Sequence, residues 1–137
     1  MKLDLLHVVK DLSHQMVDNH SELVEVGKCY DNVAQIVING DISSYENLQV
    51  AYGGVEIVPH TNVYAQHAYF ILDGTVIDPT LGIRGIDTDF KYLNLRVFDV
   101  PEYRAFISEH RHSSPDIIMN EFKKKSQELF AHDIYLI

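Results

Sequence analysis

Tryptophan is missing from this chain and cysteine occurs once in its 137 residues. One thiol can form no internal disulfide. Cys29 is therefore either a small buried hydrophobe or a reactive thiol, and the chain suits a reducing compartment, so a cytoplasmic location is expected. Basic residues are scarce: eleven Lys and Arg stand against twenty Asp and Glu, a net charge of −9 and a pI near 5.2. Such a field repels polyanions. The one concentration of positive charge, Lys123-Lys124-Lys125, reads as the solvated face of a helix, so no nucleic-acid partner is expected. No apolar run approaches the roughly 18–20 residues of a membrane span, and no membrane partner is expected either. The first seven residues carry Asp4 and His7 inside their apolar run and no small-residue cleavage site, unlike a secretory signal.

The usual metal and phosphate motifs are absent as well. His7 and His14 lie two helical turns apart, His110 and His112 flank a cation, and Cys29 has no second thiol for zinc. Asp87-Thr88-Asp89 lacks the glycine and distal glutamate of an EF-hand. Gly53-Gly54, Gly82 and Gly85 fit no phosphate-binding loop. The sequence thus predicts no metal and no cofactor. What it does hold is 46% hydrophobic and only 23% charged residues, enough for one folded domain over 1–137.

Apolar residues at three- and four-residue steps (Leu5, Leu6, Val8, Val9, Leu12, Met16, Val17) predict a helix over 3–17, with Lys10, Asp11, Ser13 and Gln15 on other faces. A turn cluster follows at Asp18-Asn19-His20-Ser21. A second helix starts near Cys29, with Tyr30, Val33, Ala34, Val37 and Ile38 on its apolar face and Asn39-Gly40 at its end. The period then becomes strand-like over 48–58 and 64–72. Asp73-Gly74 is a two-residue hairpin signal, and Thr75 to Asp78 pairs back until Pro79. After a loop over 81–89, a strand over 92–100 alternates Leu93, Leu95 and Val97. A short helix opens at Pro101. A last helix opens at Ser114-Pro115-Asp116 and buries Ile117, Ile118, Phe122, Leu129 and Phe130. Two helices, a run of strands and a closing helix describe an α+β domain with a mainly antiparallel sheet.

Three segments carry candidate chemistry. In Gly27-Lys28-Cys29-Tyr30-Asp31-Asn32 a cysteine begins a helix, where the helix dipole and free backbone N–H groups favour thiolate over thiol; the plain alternative is a core cysteine. In Gln66-His67-Ala68-Tyr69-Phe70 a histidine lies on a central strand, as a general base or a satisfied core residue. In Val76-Ile77-Asp78-Pro79-Thr80 an acid lies across the hairpin from His67. A two-residue turn puts His67 and Asp78 on one face as diagonal neighbours, about 7–8 Å apart at the backbone, within side-chain reach. An acid so placed can orient the imidazole and stabilise its charge.

Helix-start cysteine, strand histidine and next-strand acid follow the chain order of papain-like and transglutaminase-like cysteine hydrolases. The sequence resembles that superfamily across residues 24–82, and is most similar to compact bacterial and phage versions with motifs of the form G-x-C-Y-x-N, H-A-aromatic and V-I-D-P-T. The resemblance implies a papain/transglutaminase-like core, with the nucleophile helix packed on the sheet and flanking helices on both sides. It implies Cys29 as nucleophile, His67 as its acid–base partner and Asp78 as orienting carboxylate. The implied substrate is a peptide, protein or small molecule bearing an amide or ester. Papain-like proteases carry a glutamine several residues before the cysteine to complete the oxyanion hole; here that stretch is Leu23 to Lys28. The second donor is instead sought among Asn32, Gln66 and Tyr52, beside the Cys29 backbone N–H. Tyr69 stands where many relatives have tryptophan. The alternative function is a catalytically weak or inactive binding module on the same fold, which the small size, the open question of the second donor and the polar loop 41–47 suggest.

Overall fold

The computed structural model describes residues 5–8, 10–25, 27–56, 58–82, 90–113 and 116–137. Its elements are β1 (Leu5–His7), α1 (Lys10–Asn19), α2 (Cys29–Asn39), β2 (Gln49–Glu56), β3 (Val63–Leu72), β4 (Thr75–Ile77), α3 (Pro79–Gly82), β5 (Lys91–Asp99), α4 (Val100–His110), α5 (Asp116–Phe130) and β6 (Tyr135–Leu136). The class is α+β. The strands lie in the order β1-β5-β2-β3-β4, all antiparallel, and β6 adds a short parallel pairing to β3. The sheet curls until its edges meet: Val8, just past β1, forms a single parallel bridge to Val76 in β4. Among the described residues no helix is long and apolar enough to cross a membrane.

Side chains alternate across a strand, so this sheet has two apolar faces. Val50, Tyr52, Tyr64, Ala68 and Phe70 join the larger core with Val33, Ile36 and Val37 of α2, Tyr103 and Phe106 of α4, and Ile118, Phe122 and Leu129 of α5. Ala51, Val55, Tyr69, Ile71, Val76 and Tyr92 form a smaller core inside the curl, with Val8.

The β3–β4 turn matches its sequence signal. Asp73 and Gly74 both adopt positive φ, 52° and 77°, as a two-residue mirror-image turn requires. Phe70 then faces Ile77, Ile71 faces Val76 and Leu72 faces Thr75, which is the predicted register. Gly53 faces His67 across β2 and β3, beside a bulge in the pairing of β2 with β5. A Cβ there would run into the Leu93 carbonyl oxygen and come within 2.9 Å of the Tyr69 hydroxyl. Only glycine lets these backbones approach so closely.

Several local expectations need correction. The helix over 3–17 is instead a strand and a shorter helix, because Leu5, Leu6 and His7 pair with Leu93, Tyr92 and Lys91. Ser13, expected on an outer face of that helix, is completely buried. In α2, Ile36 takes the buried place expected for Ile38, which is 56% exposed. The alternation along β5 stops at the bulge, leaving Val97 at the surface. Phe130 lies outside the core and packs edge-on against Tyr135 at 5.7 Å. Helix α4 does open near Pro101, with Asp99 and Glu102 forming a reciprocal cap that satisfies two otherwise unpaired backbone N–H groups. Lys123, Lys124 and Lys125 are all exposed. Val9, Ser114, Pro115, Asp87, Thr88 and Asp89, and the side chains of Asp116 and Ile117, lie outside the described residues.

Candidate active site

Strand β3 carries one edge in two parts. Strand β4 covers Phe70 to Leu72 and β6 covers Val63 and Tyr64, with the Gln66 N–H donating to the Ile137 carbonyl at 3.0 Å. His67 lies between them, and the start of α2 comes to the same place. Gly27 and Cys29 line a pocket of about 200 Å³ together with Ala65, Gln66, His67 and Thr80. Gly27 has φ +76°, a conformation other residues adopt only with strain. Cys29 is the first residue of α2, and Lys28 before it supplies no side-chain cap. A first-turn N–H has no acceptor within its own helix, so the Cys29 amide is a ready donor to an anion.

His67 and Asp78 meet as the hairpin geometry requires. The His67 Nε2 lies 2.7 Å from Asp78 Oδ2, with His67 6% exposed and Asp78 fully buried. The carboxylate accepts at both oxygens, and the Asp78 backbone is tied as well. The Tyr92 hydroxyl donates to Oδ2 at 2.6 Å, the Leu81 N–H donates to Oδ1 at 3.2 Å, and the Asp78 N–H donates to Ser13 Oγ at 2.9 Å. With Nε2 engaged, Nδ1 is the ring nitrogen left for the thiol. The Tyr69 ring stacks on the imidazole, 6.0 Å between centroids and 22° between planes.

The electrostatics favour a charged imidazole. Burial alone would depress the His67 pKa, but the Asp78 charge, its hydrogen bond and the hydrogen-bonded Cys29 side chain outweigh it and raise the value to about 10. At neutral pH His67 is then an imidazolium, the form that pairs with a thiolate. Burial and the nearby Asp78 push Tyr92 upward, so it remains a phenol and a donor. Burial raises Tyr30 and Tyr52, and the neighbouring Cys29 adds to both shifts.

Of the three side chains considered as oxyanion donors, two are engaged elsewhere. Asn32 is buried; its amide nitrogen donates to the Glu25 carbonyl at 2.7 Å and Thr80 Oγ1 at 2.9 Å, while its oxygen accepts the Glu25 N–H at 2.8 Å. It ties the segment before Cys29 to the segment after Asp78. Tyr52 donates to the Ser113 carbonyl and lies near the Tyr103 hydroxyl. Both assignments are corrected for the same reason: long-range partners occupy the polar atoms. Gln66 is exposed and lines the pocket.

Sequence reasoning missed Tyr92 and Ser13. Tyr92 reads as one more aromatic in a strand, and Ser13 as a polar position on a helix. A larger open cleft, about 850 Å³, lies away from Cys29 and is lined by Asp41, Ser43, Asp73, Asp99 and Arg104. It contains no cysteine or histidine among its lining residues. Comparison of the chain with protein-family models, with curated proteins and with solved structures finds no match.

Proposed function

We propose that this protein is a cysteine-dependent hydrolase or acyltransferase acting on an amide or ester, on a papain/transglutaminase-like core. The observation that carries the reading is that His67, bonded to the buried Asp78 at 2.7 Å, lines one pocket with the chain's only cysteine. Cys29 Sγ attacks the carbonyl carbon and forms a C–S bond. The C–N or C–O bond breaks, and the leaving group takes its proton from the His67 imidazolium. Water then attacks the thioester while His67 accepts its proton. The C–S bond breaks and the acid departs with the thiolate restored; an amine in place of water yields transfer. The Cys29 amide and the Gln66 side chain hold the oxyanion.

Incubation with p-nitrophenyl acetate followed by intact-mass measurement tests this. We expect one acetyl adduct on Cys29 that decays in buffer and is absent from Cys29→Ala. A folded wild-type protein that gains no adduct at Cys29 contradicts the reading.

A further inference from the structure

The candidate nucleophile's pocket does not end at Cys29. Two of its walls, Val55 and Ala65, are also walls of a neighbouring hollow of about 300 Å³. Its remaining lining is Val58, Thr61, Val63 and Ile137, so only one of its six lining residues is polar. Val58 and Ile137 are 62% and 70% exposed, leaving apolar surface in water at the margin of a candidate reaction site.

A buried acid ties down the turn that carries Val58 and Thr61. Glu56, at the end of β2, is only 3% exposed. Its carboxylate accepts the His60 N–H at 3.2 Å and the Asn62 N–H at 3.0 Å. Thr61 turns its hydroxyl to the Val58 carbonyl at 2.7 Å, so its one polar side-chain group is directed to backbone. The segment 58–62 is thereby fixed without any ligand, with left-handed φ at His60 and Asn62. An apolar hollow adjoining a pocket that holds a thiol, an imidazole and a side-chain amide suits a group with one aliphatic part and one carbonyl.

We propose that this hollow is the acyl subsite: it takes an aliphatic group joined directly to the carbonyl that Cys29 attacks. The inference rests on the proposed function and adds the substrate class. Shared walls at Val55 and Ala65 make the hollow adjoin the pocket that Cys29 lines. The carbonyl then stays among Cys29, His67 and Gln66. The side chains of Val55, Val58, Val63 and Ile137 offer no charge to an acidic or basic side chain, whose desolvation they would leave uncompensated.

The test measures the burst of p-nitrophenolate from p-nitrophenyl acetate, butyrate and hexanoate, as Cys29 Sγ takes the acyl group and nitrophenolate leaves. Iodoacetamide alkylation is measured in parallel, because it needs the thiol and no subsite. We expect the burst rate to rise about threefold per methylene, as each leaves water. Val58→Glu and Ile137→Asp, both at exposed positions, should bring the hexanoate-to-acetate ratio down toward one. Glycine and valine N-acetyl p-nitroanilides show whether the aliphatic group is a fatty chain or an amino-acid side chain. A valine preference assigns the side chain, and a gain confined to the esters assigns the fatty chain. Ready alkylation with equal rates for all three esters overturns the subsite and leaves the nucleophile standing. No alkylation of the folded protein overturns both.

Discussion

The outer and inner faces of the sheet are built by the same strands, yet they bury different things. The outer face packs Val50, Ala68 and Phe70 against α2, α4 and α5. The inner face is smaller, and beside Tyr69, Ile71 and Val76 it places His67, Asp78 and Tyr92 in one hydrogen-bonded chain. An apolar interior stabilises through area and close packing. A buried ion pair returns little net stability, because desolvation offsets its attraction, but it costs much to leave half of one behind. The difference teaches that the outer face is built for packing while the inner face carries a buried, hydrogen-bonded ion pair.

Substitutions on each side can break or sharpen this contrast. Phe122→Ala, in the outer core, should lower unfolding free energy by about 3–5 kcal/mol in urea titration while leaving native Cys29 as reactive to iodoacetamide as before. Asp78→Asn should cost about 3 kcal/mol by the same titration, and in addition strip His67 of its charge partner, so that alkylation slows. If Asp78→Asn costs stability alone, the inner network is structural only. Gln66→Ala should leave the melting temperature near that of wild type and lower ester turnover about 10²-fold, as loss of one oxyanion donor does. Tyr92→Phe removes one hydrogen bond to a charged acceptor and should cost about 1.5–3 kcal/mol in stability. It should shift the alkaline limb of turnover, which loss of packing alone would not do.

The pH dependence has a defined sign. The folded His67 pKa lies at about 10, above the ordinary value near 6.5. Between these values the folded state holds a proton that the unfolded state has released. The pair's contribution is therefore complete below about pH 6.5 and is lost as pH rises toward about 10. Thermal melts across that range should fall with pH, and His67→Gln should flatten the slope.

Local signals carried the β3–β4 hairpin and the pairing of His67 with Asp78. Asp73-Gly74 defined both turn and register, and register alone put His67 and Asp78 on one face. The rest depended on contacts distant in sequence. Ser13 reaches Asp78 across 65 positions and Tyr92 across 14, and no local period marks a hydroxyl for such a partner. The same limit explains β1, whose apolar residues pair with β5 rather than continue into α1, and the two-residue β6. It explains Asn32 and Tyr52 too. Their residue types suit an oxyanion donor, but Glu25, Thr80 and Ser113 engage them. Gln66 remains because its side chain lines the pocket and is exposed.

The central claim is that the His67 imidazolium activates Cys29. It is tested most directly by the rate of iodoacetamide alkylation of the native protein at about pH 6, where a free thiol is nearly all protonated. The account predicts rapid modification of wild-type Cys29 and a rate at least about tenfold lower in folded His67→Gln, since the thiolate fraction governs reactivity. Equal rates in the two proteins would contradict it.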